Sequence, residues 1–327
     1  MAICVTSIHE PKSAFIQYRA IYESPIYWVG DRKSPAITTN TVRNVTLQDQ
    51  LKIEDLTLPS LLPIDHYSRK NIGYLIALQD GANWILDTDD DNFPRLPYEQ
   101  FPSDTCDCTV LTGSKGRVNI YKYFTDCNVW PRGLGYQFDE AQPVSIDATC
   151  DSVAVWQGLA DGDPDVDAIY RLAGLGEVRF DSGPIIVLDQ GLYCPFNSQN
   201  TMWRARYLSY AYLPSTVTFR FTDILRGYVA QRGLWAHDCR LGFVGPNVFQ
   251  NRNDHDLLKD LESELIMYKS IDRLVSILEE LTLTACASDN LLVMYDALAS
   301  AGIVQANELE MLAAWLDDIA YVTRGVR

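Results

Sequence analysis

Apolar positions in the first ninety residues follow two periods. Residues 3–8 and 26–29 are apolar runs short enough to be buried strands, and residues 84–86 form a third. Between them, residues 12–23 fit a helix. Tyr74, Leu75, Leu78 and Ala82 recur on one face of a second helix, with Gly81 suited to its end. The order strand, helix, strand, helix, strand predicts a parallel sheet. Residues 36–64 read as irregular, with short helical pieces punctuated by Pro59 and Pro63.

Past residue 92 the pattern loosens. Residues 93–150 are rich in Pro, Gly, Asp and Tyr. Within them, residues 118–124 alternate enough to predict a strand, and residues 128–135 read as a loop holding Trp130 and Arg132. Residues 153–159 are a further strand candidate, and residues 161–172 an acidic turn entering a short helix. From about residue 255 helical spacing takes over in 256–285 and 289–322, carried by Leu257, Leu258, Leu261, Leu265 and Ile266, then by Leu309, Leu312, Ala313 and Leu316. This region reads as a helical subdomain for packing, oligomerisation or partner contact. No internal repeat or low-complexity tract is found.

The 327 residues suffice for one large or two smaller domains, and the 47% hydrophobic content supports a sizeable core. A net charge of −16 argues against general nucleic-acid binding, which needs Lys and Arg to neutralise phosphates, but leaves room for a local anion site. No apolar run is long enough to span a membrane. The first eight residues lack the basic flank of a signal peptide and read as a strand. Eight scattered cysteines, with Cys106 and Cys108 the sole close pair, fit reduced thiols better than a zinc site. A soluble, cytoplasmic protein with optional peripheral membrane association is expected.

Candidate chemistry centres on Asp87, Asp89, Asp90 and Asp91, four acids within five residues directly after the run 84–86. Chemistry in open α/β sheets gathers beyond the carboxyl ends of strands, and clustered carboxylates call for compensating charge. A hard divalent cation is the simplest candidate, since Mg²⁺ and similar ions take oxygen ligands and bridge to phosphates. A calcium loop fails: Asn92 stands where glycine is needed, and Tyr98 where the bidentate glutamate belongs. The series Asp161, Asp163, Asp165 and Asp167 fails likewise, with Leu172 at the last position. A phosphatase-like nucleophile at Asp87 is opposed by the two strand–helix units that precede it. A solvated acidic loop poorly explains four acids behind a buried strand. The remaining reading is an Asp-x-Asp motif holding Mn²⁺ or Mg²⁺ on the diphosphate of a nucleotide sugar.

Two upstream stretches suit that reading. The turn at Gly30 and Asp31, with Lys33 following, ends an apolar strand where a nucleotide can meet backbone amides, although an ordinary turn explains it too. Arg69, Lys70 and Asn71 open a helix whose N-terminus favours phosphate. Downstream the charge changes sign. Residues 139–189 hold eleven acids and two bases, whereas residues 201–252 hold seven arginines and two acids. An anionic-ligand site and internal salt bridges explain this equally well.

Several stretches resemble the STELLO-like glycosyltransferase family. They are Val29-Gly30-Asp31-Arg32-Lys33-Ser34-Pro35, Arg69-Lys70-Asn71-Ile72-Gly73-Tyr74 and Ile85-Leu86-Asp87-Thr88-Asp89-Asp90-Asp91. Further on come Gln157-Gly158-Leu159-Ala160-Asp161-Gly162-Asp163-Pro164-Asp165-Val166-Asp167, Phe196-Asn197-Ser198-Gln199-Asn200-Thr201, Arg220-Phe221-Thr222-Asp223-Ile224-Leu225-Arg226-Gly227 and Asn251-Arg252-Asn253-Asp254-His255. The resemblance spans roughly residues 3–270. Plant members of the family are described as Golgi membrane proteins that interact with cellulose synthase. The present residues look like the catalytic module alone, so location and partner are not carried over.

The resemblance implies an α/β fold of GT-A type: a Rossmann-like mixed sheet flanked by helices, followed by a helical C-terminal subdomain. Residues 1–255 would form the transferase domain, with a donor half at 1–92 and an acceptor half at 93–255, and residues 256–327 the helical region. Gly30, Asp31 and Lys33 would face the nucleoside, and Arg69, Lys70 and Asn71 the nucleotide or its phosphates. Asp89 and Asp91 would bind the metal, with His255 as a third ligand or a plain surface histidine. Asp87 would orient the donor sugar or share the ion. Asp163 and Asp165 complete the substrate contacts. Asp223 would act as general base with Arg226 beside it, or would simply pair with Arg226 or Arg220. Trp130 and Trp235 would stack on sugars or pack in the core.

The expected function is therefore metal-dependent transfer of a sugar from a nucleotide-diphosphate donor, UDP favoured, to a carbohydrate or glycoconjugate acceptor. Inversion is the expected stereochemical outcome, and the chain is a possible homo-oligomer. A nucleotide-sugar mutase and a non-catalytic nucleotide-sugar-binding scaffold are the alternatives.

Overall fold

Alternation along the first strands places side chains on both faces of one sheet. A computed structural model describes residues 1–37, 39–102, 105–135, 140–253 and 256–324. Strand β1 (Ala2–Thr6) leads through α1 (Ala14–Tyr22) to β2 (Ile26–Val29) and β3 (Arg43–Val45). The chain continues through α2 (Leu47–Leu51), α3 (Leu58–Leu61) and α4 (Lys70–Gln79) into β4 (Trp84–Thr88). Strands β2, β1 and β4 are neighbours in that order and parallel, as the strand–helix alternation predicts, and β3, within a stretch read as irregular, adds a fourth parallel strand at the edge. Ala2, Cys4, Tyr27 and Ile85 enter one buried cluster with α4, while Ile3, Val5, Trp28 and Leu86 enter a second. Both faces are thus covered, which explains why these strands read as continuous apolar runs. Helix α4 lies close to the sheet: a Cβ on Gly73 would sit 2.7 Å from Val29 Cγ2.

The middle of the chain extends the sheet with strands of both directions. These are β5 (Asn92–Pro94), β6 (Cys106–Thr112), β7 (Gly116–Arg117), β8 (Val144–Cys150) and β9 (Val153–Gly162). After α5 (Ala168–Leu172) come β10 (Ile186–Leu188), β11 (Leu192–Tyr193) and β12 (Asn200–Arg204). Helix α6 (Phe219–Trp235) and strand β13 (Arg240–Gln250) follow. The main sheet runs β3-β2-β1-β4-β12-β9-β13-β10-β6-β8, with β5 paired to β13; β7 and β11 form a separate pair. The expected mixed sheet flanked by helices is present.

Two expectations for this stretch fail. Residues 118–124 are not a strand: Ile120–Tyr123 is a 3-10 turn. Asn119 accepts a hydrogen bond from Tyr121 N at 3.2 Å and donates to Val129 O at 2.8 Å, so its side chain favours the turn over a ladder. Strands β6 and β8, unforeseen in the Pro- and Gly-rich segment, pair antiparallel at the sheet edge. Most of β8 is exposed, so it carries no apolar period to find.

Three helices close the chain: α7 (Leu257–Glu280), α8 (Ala287–Ser300) and α9 (Glu308–Arg324). The expected second helical stretch is divided by a break. Their Leu274, Leu298, Leu312 and Trp315 join the same buried cluster as α4 and α6. Glu308 accepts from Tyr212 Oη at 2.5 Å and from Thr216 N at 2.7 Å, and Asp318 accepts from the Thr57 and Leu58 amides that start α3. No helix among the described residues is long and apolar enough to cross a membrane.

Candidate active site

Strand β4 runs between β1 and β12, so Asp87 sits opposite Cys4 on one side and Thr201 on the other. Asp87 is therefore still a sheet residue, and fully buried. A carboxylate there needs cations. Lys70, the first residue of α4, places Nζ 2.5 Å from Oδ1, and Arg226 of α6 places Nη1 2.8 Å from Oδ2. Arg226 also donates to Asn197 O at 2.7 Å and lies over the Trp203 and Phe196 rings. Its guanidinium is fully buried, so the expected pairing of Asp223 with Arg226 is replaced by Asp87 with Arg226.

One residue further on, the run leaves the sheet. Asp91 O accepts from Asn251 N at 3.0 Å and Asn92 pairs with Gln250, which ties residues 89–91 to the end of β13. Asp89, Asp90 and Asp91 line a cavity of about 450 Å³. Asp89 Oδ1 accepts from Tyr67 Oη at 2.9 Å and lies 3.3 Å from Lys70 Nζ. Asp90 takes a short hydrogen bond from Ser7 and another from Asn253 Nδ2 at 3.2 Å. Asp91 Oδ2 accepts from Gln250 Nε2 at 3.1 Å and from Asn253 N at 3.4 Å, while the buried Oδ1 has no partner among the described residues.

Electrostatics follow the partners. The Asp89 side chain keeps 32% of its surface open to the cavity, yet the surrounding walls still desolvate it. Burial, opposed by Lys70 and reinforced by Asp91 and Asp87, pushes its pKa up to about 7. Burial also raises Asp91. For Lys70, burial works against the charge, but Asp87 and Asp89 outweigh it and the ammonium is stabilised. An anionic site with a desolvated carboxylate and an orphaned buried oxygen fits a hard cation that completes its shell with phosphate oxygens. Among the described residues, no group of three or more His, Cys, Asp or Glu is arranged to hold a metal ion, so a cation here would depend on ligands from a substrate.

The other wall of the cavity is cation-rich. Arg132 reaches it from a turn that packs on α6, where Gly133 holds φ +85° and a Cβ would collide with Ile224. Its guanidinium grips Asp165 at 2.7 and 2.8 Å and Asp223 at 2.9 and 3.1 Å. Asp165 also accepts from Asn197 Nδ2 at 2.9 Å and lies 3.8 Å from Arg220. Arg220 in turn pairs with the buried Glu264 of α7 at 2.8 Å. Burial by itself would raise the Asp165 carboxyl, but Arg132 and Arg220 hold it well below the usual carboxylate range. Asp223 additionally accepts from Ile224 N at 3.0 Å and Ser198 N at 3.3 Å.

Of the residues singled out in the sequence, Asp31, Lys33, Asp89, Asp91, Asp165 and Asp223 line this one cavity. Asp31 turns its carboxylate to the Arg32 and His66 amides. Gly30, Lys70 and Asp87 lie behind the wall. Arg69 and Asn71 are not at a phosphate site. Arg69 is buried against Gln50, Leu62 O and Pro59 O, and Asn71 exchanges hydrogen bonds with the Leu213 backbone. Asp163 pairs with Arg171 at 2.9 Å and Arg252 at 2.7 Å, and acts on the cavity through Arg252. His255 lies outside the described residues. Trp130 packs edge-on against Tyr170 and donates to Asp167, and Trp235 packs on Tyr193, so neither lines the cavity.

Sequence reasoning missed Tyr67, Arg132, Gln250 and Asn253 as site residues. Arg132 had a weak signal, a lone arginine in a Gly-rich loop, and Asn253 lay in a stretch that carries the family resemblance; Tyr67 and Gln250 had none beyond their neighbours.

Comparison with known proteins agrees with the motif resemblance. Residues 220–324 match the family model of the STELLO glycosyltransferases. Over 290 residues the chain is 28% identical to the probable glycosyltransferase STELLO2 of Arabidopsis thaliana, covering 80% of this chain and 37% of that protein. Over 285 residues it is 29% identical to the probable glycosyltransferase STELLO1 of the same plant, covering 80% and 36%. The chain thus matches little more than a third of the length of these relatives, and its similarity to the STELLO glycosyltransferases runs through most of its own residues.

Proposed function

We propose that this relative of the STELLO glycosyltransferases moves a sugar from a nucleotide diphosphate, UDP favoured, to a carbohydrate or glycoconjugate acceptor. The observation that carries the reading is the convergence of Asp89, Asp91 and Asp223 on one cavity. Asp89 and Asp91 would hold Mn²⁺ or Mg²⁺, with substrate phosphate oxygens as further ligands. When bound, the ion neutralises the diphosphate leaving group. Asp31 and Lys33 stand on the same cavity as those carboxylates and would meet the nucleoside. Asp223 takes the proton from the acceptor hydroxyl as that oxygen attacks the anomeric carbon, which inverts the configuration. Arg132 orients Asp223 through two hydrogen bonds, one to each carboxylate oxygen. Those same bonds occupy both Asp223 oxygens, which is the observation favouring the alternative, a nucleotide-sugar-binding protein without transfer activity.

Calorimetry with UDP, GDP and CDP, each with and without Mn²⁺, tests the reading. Metal-dependent nucleotide binding is expected, and its absence sinks it. Donor hydrolysis or transfer should fall by about 10²- to 10⁴-fold in Asp223→Ala with nucleotide binding retained. Unchanged turnover in that variant removes Asp223 as the base.

A further inference from the structure

The four carboxylates of the run are not compensated alike. Asp87 has a cation on each oxygen, Lys70 at 2.5 Å and Arg226 at 2.8 Å. Asp89 shares Lys70 at 3.3 Å. Asp90 and Asp91 accept hydrogen bonds from the neutral groups of Ser7, Asn253 and Gln250. Lys70 and Arg226 therefore balance the buried Asp87 and the cavity-lining Asp89, and the charges of Asp90 and Asp91 are left to the cavity.

Lys70 is held where it can do this. Its ammonium is fully buried and also donates to Thr88 O at 2.9 Å, Tyr67 Oη at 3.1 Å and Ser198 O at 3.4 Å. The Tyr67 hydroxyl it touches is the one that donates to Asp89. The ammonium thus reaches the inner carboxylate, the cavity carboxylate and the group that orients the latter.

We propose that Lys70 is a resident counter-cation and a positioning residue: it holds Asp89 for the diphosphate-bound ion while weakening divalent-cation capture by the free protein. The proposal rests on the donor-site reading above. Without that internal positive charge, Asp89 and Asp91 would attract a divalent ion more strongly whether or not a nucleotide is present. With Lys70 in place, the ion needs the extra negative oxygens of a diphosphate, so ion and nucleotide bind and leave together.

Mn²⁺ binding, followed by the loss of the free-ion electron paramagnetic resonance signal, reads this directly without any turnover. In the unaltered protein, Mn²⁺ should bind at least tenfold more tightly with UDP than alone. In Lys70→Met and Lys70→Gln, Mn²⁺ affinity of the nucleotide-free protein should rise tenfold or more. Arg43→Gln, which removes an exposed cation paired with Asp80 away from the cavity, should change it less than threefold. A lower melting temperature with unaltered or weaker Mn²⁺ affinity in the Lys70 variants reduces Lys70 to a structural ion pair and overturns the proposal. If neither Lys70 variant folds, equal Mn²⁺ affinity with and without UDP in the unaltered protein overturns it. Failure of the unaltered protein to bind any nucleotide with Mn²⁺ is a different result, and removes the donor-site reading itself.

Discussion

The two walls of the cavity are both acidic in sequence but differ in what their carboxylates meet. At the end of β4, Asp90 and Asp91 accept from amides and a hydroxyl, and one buried Asp91 oxygen has no partner among the described residues. Across the cavity, Asp165 and Asp223 are clamped by Arg132, with Arg220 nearby. One wall still asks for positive charge; the other already has it. The difference teaches that a count of acids does not locate a cation site. The partners that the fold supplies decide it, since a buried carboxylate without a counter-charge costs far more than one paired with an arginine.

The contrast can be broken most forcefully from behind. Asp87→Ala would strip the buried Arg226 of its ion pair and leave Lys70 only Asp89 at 3.3 Å, and should lower stability by about 3–5 kcal/mol in urea unfolding. A loss under about 1 kcal/mol would mean that the inner network is not a balanced set. Asp91→Asn should leave unfolding nearly unchanged, because neutral donors already surround it, yet weaken Mn²⁺-dependent nucleotide binding by roughly 100-fold in calorimetry. Full retention of that binding would erase the distinction between the walls.

Acid titration sharpens the contrast from the other side. The folded-state pKa of Asp165 is depressed, so its ion pairs stabilise the fold fully above the ordinary carboxylate range, near pH 4. That contribution is lost as pH falls further towards the folded value. Asp165→Asn should therefore flatten the acid limb of a stability-versus-pH curve, and an unaltered limb would show that the pairing with Arg132 stores little. The smallest effect is expected at Lys33, whose side chain is 66% exposed. Lys33→Ala should shift the melting temperature by no more than about 2 °C while weakening nucleotide binding measurably.

Much of the fold was legible because its signals are local. The buried parallel strands, the helix with Gly81 at its end and the C-terminal helices each carry a period within a dozen residues. The edge strand β8 was not legible, since an exposed edge has no apolar face to advertise, and its neighbour β6 was missed with it. The misread segment 118–124 turned on one side chain, Asn119, competing for backbone groups.

Within the site, Asp89, Asp91 and Asp223 were marked by residue type and neighbours, and the structure brings them to one cavity. Arg69 and Asn71 were marked in the same way and serve the core instead. At the start of a helix, sequence does not say whether a side chain points along the axis towards a ligand or sideways into packing.

The amino-acid sequence by itself determined the alternation that buries the sheet, the acidic run after β4 and the arginine-rich stretch that follows the acidic middle. Only the tertiary structure decided which acid meets which base. Arg226 lies 139 residues from Asp87, and Arg132 lies 91 residues from Asp223. Periodicity extends over a turn or two of helix or a few strand residues, whereas a charge pair depends on a few ångströms set by the packing of distant elements. That is why the run could be read as a cation site from its residues, while the ammonium that tunes it could be identified only in place.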